Sequence, residues 1–508
     1  MASWSQHSDT VQRLPDWLPA AVRSQPAWRW LGGSAVLLAL LWYLRRRRRR
    51  LPPGPWGFPV VGAVHCIGRE MHRDLMKLRK TYGDIISFRL GGRLHVALNG
   101  YPLIKDALVN RGEDFADRPV HHLAALLDFN DEIFTSPYNE SWKSSRKFAS
   151  ITLKKFGVGG CGLIEDKVLT EVARIMEHLR DSSGTPIQLN RLILNGIARA
   201  QTSILFSSEY SADDPAVDQL VETIRSWFDA SFNPSLLKAN RFPSWLAKIL
   251  YKKPFEAALA MKRQMNTYIQ EKLEEHRATL DTNNLRDVMD AYLAEREDLD
   301  EERLTYTLLV FLPDGVDTLS GIILWGFLYI IYTPEVQDEI QKELDAVVGR
   351  SGRPTMVHRK ELLYLQATIL ETFRITNIAP LASPHKSLQN TTLVGYDIPT
   401  SAVIWPNLYS VHMDPETFPD PEKFDPHHFL DGSGKLKNVD RCIPFSLGRR
   451  MCLGEQISKM ETFLFLANML HQFRFRFPPA ESAAALDPHM IGTVLRLPPN
   501  FSVIAVPR

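Results

Sequence analysis

The chain has 508 residues, and its 60 Lys and Arg stand against 58 Asp and Glu for a formal net charge of +2. A balance so close to neutral gives the whole molecule no electrostatic basis for binding nucleic acid. Four cysteines, Cys66, Cys161, Cys442 and Cys452, are too sparse for a disulfide scaffold and agree with reduced thiols facing the cytosol. A hydrophobic content of 44% suits a large globular fold, and length alone would suggest about three domains. No low-complexity linker follows the first fifty residues, so one large unit with a tethered anchor is expected.

In chain order, residues 30–44 (WLGGSAVLLALLWYL) are apolar and end at six consecutive arginines, 45–50. Counting back to Pro26, with Arg29 reaching the interface, gives a span long enough for a thin bilayer. The arginines keep the following side in the cytosol and leave residues 1–25 luminal. A helix lying in the membrane interface is the alternative. Leu51-Pro-Pro-Gly-Pro then breaks any helix with a stiff extended segment.

A helix is expected at 72–82, then a hairpin of strands 85–90 and 94–98 around Gly91 and Gly92. Residues 141–349 read as mainly helical, with long amphipathic runs at 255–280 and 304–332. Residues 234–253 mix apolar and basic side chains without acids. They suit either an anionic lipid surface or a buried connector. Strand signals return at 392–398 and 402–404, and 492–506 alternates like a terminal hairpin. The pattern is an α-rich fold with a small β part near each end.

Within this frame several spacings carry chemistry. Trp142 and Arg146 share one helix face, as do Glu371 and Arg374, which can pair. Asp314, Asp317 and Thr318 fall at i, i+3 and i+4 on one face, with Gly315 loosening the helix between them and Pro313 removing an amide. Asp314 there can anchor a cation, alter proton delivery, hinder a ligand, or point to solvent if Pro313 rotates the helix.

Residues 445–454, FSLGRRMCLG, hold Cys452 in a glycine-flanked loop before an apolar helix-forming run, 453–475. The first amides of that helix, with Arg449 and Arg450 close by, favour a thiolate. A thiolate beside glycines, where something flat can approach the backbone, suits an axial haem ligand. On average residue usage, F-x-x-G-x-R-x-C-x-G arises in a chain of this length on the order of once in ten thousand sequences.

This decapeptide resembles the haem-thiolate signature of the cytochrome P-450 superfamily, and the resemblance runs from Pro52 onward. Leu51-Pro-Pro-Gly-Pro, Asp117-Arg118-Pro119, residues 142–148 and Pro444-Phe445-Ser446 are most like the microsomal family-two group. Residues 342–350 are similar to the neighbouring aryl-hydrocarbon-oxidising family. The resemblance implies a mainly α cytochrome P-450 fold with a small β part, preceded by a single transmembrane anchor. Residues 1–25 would be luminal, 26–44 the anchor, 45–55 the basic stop-transfer and proline-rich hinge, and 56–508 the catalytic domain.

It further implies haem b with Cys452 as axial iron ligand, and Trp142, Arg146, His385 and Arg450 as contacts to the haem propionates. Asp317 and Thr318 would organise proton delivery. Glu371 and Arg374 would form a buried structural pair whose third member, usually an arginine, is here His428; that leaves the position neutral unless the imidazole is protonated. Asp314 departs from the family pattern, which places a small residue there. The implied reaction inserts one atom of O2 into a small apolar substrate (a fatty acid, steroid or xenobiotic). NADPH supplies electrons through a flavoprotein, NADPH-cytochrome reductase, with cytochrome b5 as a further partner. Lys143, Lys147, Lys435, Lys437, Arg441, Arg449 and Lys459 offer a basic docking face. Residues 120–130, 205–232 and 378–383 would line the pocket, with Phe228, Phe232 and Leu381 making it apolar. The implied location is the endoplasmic reticulum membrane with the catalytic domain cytosolic. An isomerase or dehydratase acting on peroxides without external electrons, and a non-catalytic haem-binding protein, stay open as alternatives.

Overall fold

The computed structural model describes residues 50–59, 61–68, 70–119, 133–157, 162–182, 184–211, 214–231, 244–295, 301–479 and 495–508. The expected anchor at 26–44, the luminal residues 1–25, most of the arginine run, the loop 120–130 and Phe232 lie outside them. The chain divides into a large body, 52–391 and 398–508, and a small unit of residues 1–51 with 392–397. In the small unit, the Arg50 N–H donates to Asp397 Oδ2 and the Asp397 N–H returns to Arg50 O, each at 2.8 Å.

In the body, α1 (Met71–Tyr82) stops where Gly83 turns to φ +86, a backbone that favours glycine. β1 (Ile85–Leu90) and β2 (Arg93–Leu98) form the expected antiparallel hairpin, with Ile85 opposite Leu98 and Leu90 opposite Arg93. Pro52 and Pro53 are docked on this sheet: Pro52 O accepts from Ser87 Oγ and Pro53 O from the Ser87 N–H. A side chain at Gly54 would lie 1.7 Å from Ser87 O, so this end of the proline-rich segment is fixed by close packing rather than solvated.

Helices α2 (Glu140–Phe156), α3 (Leu163–Asp181), α4 (Leu189–Phe206), α5 (Pro215–Ser231), α6 (Lys252–Thr279) and α7 (Val288–Glu295) follow. Asn139 caps α2, accepting the Trp142 N–H at 2.8 Å, and so fixes the phase of the Trp142–Arg146 face. Helix α8 (Glu301–Tyr332) crosses the core and packs most extensively on α4. Leu308, Leu312, Val316, Ile323, Phe327 and Ile330 are fully buried, which gives the all-round apolarity of a central helix. It is the one helix among the described residues apolar and long enough to cross a membrane, and packing accounts for it. The helix continues through Pro313, at the cost of one backbone donor to the preceding turn.

Helix α9 (Pro334–Val347) and α10 (Leu363–Thr376) follow, the latter closed by Asn377 at φ +42. The 392–398 signal resolves into a turn between Thr391–Leu393 and Tyr396–Ile398, because Val394 and Gly395 both take positive φ. β3 (Val403–Pro406) adds parallel to β2, pairing Val403 with His95. Helix α11 (Glu455–Gln472) ends earlier than its apolar run suggested. Phe473–Arg476 is instead strand β4, with both phenylalanines buried and both arginines exposed. Its partner is β5 (Ser502–Pro507), with Phe473 opposite Pro507. Among the described residues the C-terminal alternation therefore pairs with the strand after α11 and with Ile187–Gln188.

Candidate active site

The loop before α11 brings Cys452 into register through its own backbone. The Cys452 N–H donates to Phe445 O at 2.8 Å, and the Met451 N–H to Gly448 O at 3.2 Å. Gly448 sits at φ +77 with Leu108 O only 1.8 Å from where a Cβ would be. The signature's first glycine thus answers a close backbone approach inside the protein. Gly454 has nothing nearer than Cys452 Sγ at 3.9 Å.

Cys452 keeps accessible surface, yet protein surrounds it so closely that burial pushes its thiol up to about 11. Both hold when a group lines an interior space. The amide of Gly454 and the charge of Arg146 pull downward, while Asp314 and Glu455 push upward. The downward pull expected near the helix start is present, and burial outweighs it. A bound metal cation is what removes such a proton.

Around this loop the structure gathers Trp142, Arg146, Arg450 and His385. Trp142 is buried and gives its indole N–H to Ile133 O at 2.8 Å. Arg450 stacks its guanidinium 3.9 Å from the Trp142 ring centroid, and Arg146 lies at 5.5 Å. Arg146 donates to Met451 O. Arg450 donates from Nε to Ala116 O at 2.8 Å and from Nη2 to Ser136 O at 2.7 Å. Burial brings its guanidinium down to about 10. His385 turns Nδ1 to Phe115 O at 2.8 Å. Burial first, then Arg118 and Arg450, hold it well below the usual imidazole range. A neutral ring facing a carbonyl must carry its proton on Nδ1, which leaves Nε2 an acceptor.

Arg118, quoted in the sequence only as part of a triplet, joins this group, donating to Ser383 O and Pro384 O. Asp117, the acid whose charge acts on Arg450, is engaged by Lys386 at 3.4 Å and by the Tyr138 N–H. Neither Arg146 nor Arg450 has a carboxylate partner among the described residues. Buried guanidiniums satisfied by carbonyls alone leave net positive charge, which suits a flat group with carboxylates on its edge. Together with a thiol able to become a thiolate, this donor set fits haem.

Opposite the loop, α8 presents Asp314, Asp317 and Thr318. Thr318 Oγ1 donates to Asp314 O at 2.5 Å, and Asp317 is buried. Asp314 retains surface but is enclosed by protein, and burial, then Asp317, push its carboxyl to about 7. Its charge adds to the upward push on Cys452. Behind Gly315 stands Gln201 of α4, its Oε1 3.2 Å from where a Cβ would be. Gln201 Nε2 donates to Glu461 Oε1 of α11 at 3.1 Å. Glu461 is fully buried, and desolvation raises its carboxyl to about 8. No sequence signal links residues 260 positions apart.

Behind α10, Arg374 grips Glu371 through Nε and Nη2, both at 2.7 Å, with both side chains fully buried. His428 sets Nδ1 3.1 Å from Glu371 Oε1 and Nε2 2.5 Å from Pro419 O. Both neighbours are oxygens. Leu381 packs on the β1–β2 cluster with Ile86 and Phe88. A second group of acids and histidine, His276, Asp287 and Asp290, is closed by its own bonds to Lys272 O, Arg286 and the Asp290 N–H.

A helical body with a cysteine loop of this form, flanked by cations and facing an acid and hydroxyl on a central helix, defines a haem-thiolate protein. The chain belongs to the cytochrome P450 family, whose family model matches residues 52–505. It is 31% identical over 478 residues to "Cytochrome P450 2U1" of Rattus norvegicus, covering 88% of this chain and 89% of that one. It is 32% identical over 498 residues to "Cytochrome P450 18a1" of Drosophila melanogaster (93% and 90%). It is also 32% identical over 489 residues to "Cytochrome P450 2J1" of Oryctolagus cuniculus (94% and 95%). The protein is a monooxygenase of that family, an oxidoreductase that uses haem iron.

Proposed function

We propose that this monooxygenase is membrane-bound and inserts one oxygen atom into a small, largely apolar substrate, with Cys452 as the axial ligand and electrons from an NADPH-dependent reductase. The observation that carries the reading is Cys452 Sγ beside the Gly454 amide and Arg146, facing the acid-and-hydroxyl turn of α8. Trp142, Arg146 and Arg450 would hold the edge of the haem, and His385, with Arg118 behind it, would join them by donating from Nε2 once a carboxylate beside it draws a second proton onto the ring. When bound, the haem supplies dioxygen activation and oxygen transfer. Cys452 would contribute a negative sulfur, steadied by one amide and one guanidinium. Thr318 spends its proton on Asp314 O, which leaves its hydroxyl oxygen free to accept a hydrogen bond; buried Asp317 would serve as the acid beside it. Glu371, Arg374 and His428 touch none of these groups and act as structure.

Partners follow from charge and anchor. Lys147, Lys435 and Lys437 are exposed, while Lys143, Arg449 and Lys459 each hold an acid at 2.6–2.7 Å. The exposed lysines are the better docking candidates for an acidic reductase or cytochrome b5. Residues 26–44 would be the anchor, with the endoplasmic reticulum as location. The helix Ser244–Leu250 exposes Trp245 and Ile249 by about two-thirds beside Lys248, which supports lipid contact there.

The carbon monoxide difference spectrum of the reduced protein tests the ligand. A strongly red-shifted haem band is expected, and Cys452→Ser should abolish it while haem is still taken up. A wild-type band without the shift would refute the thiolate. Substrate-dependent NADPH consumption with reductase present would separate oxygen insertion from peroxide isomerisation.

A further inference from the structure

A fully buried histidine outside the group around Cys452 is bonded to the cysteine loop. His412 ends the short helix Tyr409–His412 with no exposed surface, and its Nε2 accepts the Ile443 N–H at 2.8 Å. Its backbone carbonyl accepts Arg374 Nη1, also at 2.8 Å. His412 thus joins the buried Glu371–Arg374 pair of α10 to the entrance of the loop. A neutral ring that accepts at Nε2 carries its proton on Nδ1, and Nδ1 is buried without a partner among the described residues. A histidine that only filled the core would bond both nitrogens or be replaced by an apolar side chain; this one leaves a donor unpaired in order to supply one acceptor. Burial, then the charge of Arg374, bring its pKa down to about 3, which keeps that lone pair in place at neutral pH.

From Ile443 onward the loop is stiff. Pro444 has a fixed φ and no N–H, and the Ser446 N–H closes a turn on Ile443 O at 3.1 Å. Ser446 itself sits at φ +64, a backbone that few side chains adopt. Phe445, inside the turn, offers the carbonyl that takes the Cys452 N–H at 2.8 Å, and its ring meets Phe373 of α10 edge-on at 5.2 Å. Moving Ile443 therefore moves Phe445 O, and with it the backbone that carries the sulfur. Ile443 is buried, and His412 Nε2 is the acceptor its N–H finds among the described residues; without it that donor is left unpaired in the interior. We propose that His412 is a positioning residue for the cysteine loop: its Nε2 sets the place of the Ile443–Ser446 turn and, through Phe445 O, that of Cys452 against the haem. This rests on the reading above that Cys452 is the axial ligand.

Three variants test it. His412→Leu removes the acceptor and His412→Gln restores one. Asn407→Leu, earlier in the same segment, is the control for losing a buried polar group, since Asn407 is fully buried but bonded to His72 O and Asn99 Oδ1. In the haem-free protein, hydrogen exchange of the peptide 443–452, read by mass spectrometry, should be at least about tenfold faster in His412→Leu and within about twofold of wild type in the other two. In the reduced, haem-loaded protein the red-shifted carbon monoxide band should decay to the unshifted form at least about tenfold faster in His412→Leu, and at the wild-type rate in the other two. A role in packing alone predicts that Gln behaves as Leu does, or that Asn407→Leu behaves as His412→Leu does. Either result, or wild-type exchange and decay in His412→Leu, would overturn the inference. Should His412→Leu not fold, His412→Met, unbranched and adaptable, takes its place; loss of the haem-free fold in both would make His412 a folding residue and overturn the inference as well. A wild-type protein without the red-shifted band would refute the thiolate reading alone, because exchange in the haem-free protein still decides whether His412 places the turn.

Discussion

Replacing Glu461 with Gln should make the protein more stable, and by an amount that depends on pH in a defined direction. Glu461 is fully buried on α11, its carboxyl meeting Gln201 Nε2 at 3.1 and 3.4 Å. Desolvation raises it from 4.5 to about 8. The folded state therefore holds this proton while the unfolded chain releases it above about pH 4.5. Stability from the group is full below that value and is lost as pH rises toward 8. Each unit corresponds to about 1.4 kcal/mol. Relative to a group that never ionises, the wild type then loses roughly 4 kcal/mol at pH 8 but only about 1 kcal/mol at pH 5. Glu461→Gln keeps the volume and can still accept from Gln201, so the variant's advantage should shrink by roughly 3 kcal/mol between pH 8 and pH 5. Urea unfolding of the haem-loaded protein at pH 5, 6, 7 and 8, followed by haem absorbance and far-ultraviolet dichroism, measures it. Parallel wild-type and variant curves across that range would show that Glu461 is ionised or hydrated in the folded protein, and the argument would fail.

Glu371→Gln should cost roughly 3–5 kcal/mol, because it leaves the fully buried Arg374 charge without its carboxylate; unfolding midpoints and haem retention both read this. His428→Leu should cost roughly 1–3 kcal/mol by stripping a donor from Glu371 and Pro419 O, and His428→Arg should recover more of that loss than His428→Gln if the position must be cationic. The two glycines of the cysteine loop should differ sharply. Gly448→Ala meets Leu108 O and a φ of +77 and should prevent stable haem loading, whereas Gly454→Ala meets no atom nearer than 3.9 Å and should load normally; equal behaviour in the carbon monoxide spectrum would contradict the packing argument. Arg450→Ala should release the carbonyls of Ala116 and Ser136 as well as weaken the haem edge, seen as a lower unfolding midpoint of the haem-free protein.

Much of the site was legible in the residues because it is local. The cysteine loop, the Trp142–Arg146 face, the Glu371–Arg374 pair and the Asp314–Thr318 turn each lie within a few residues, where helical spacing or a short loop fixes who faces whom. The same locality made the β1–β2 hairpin and the long α8 readable. Where local pattern and tertiary pairing compete, the sequence misleads: the apolar run after Cys452 ends in a strand, since Phe473 and Phe475 find β5 as a partner more than twenty-five residues later.

Tertiary structure alone decided the electrical state of the site. A cysteine near a helix start reads as a thiolate, and in the folded chain burial works against the one amide and one guanidinium that favour it. Gln201, Glu461 and Arg118 became part of the arrangement only when segments far apart in the chain were packed together. Spacing along the chain sets which side chains share a face; desolvation and charge at a distance depend on every element around that face, and no stretch of sequence contains them.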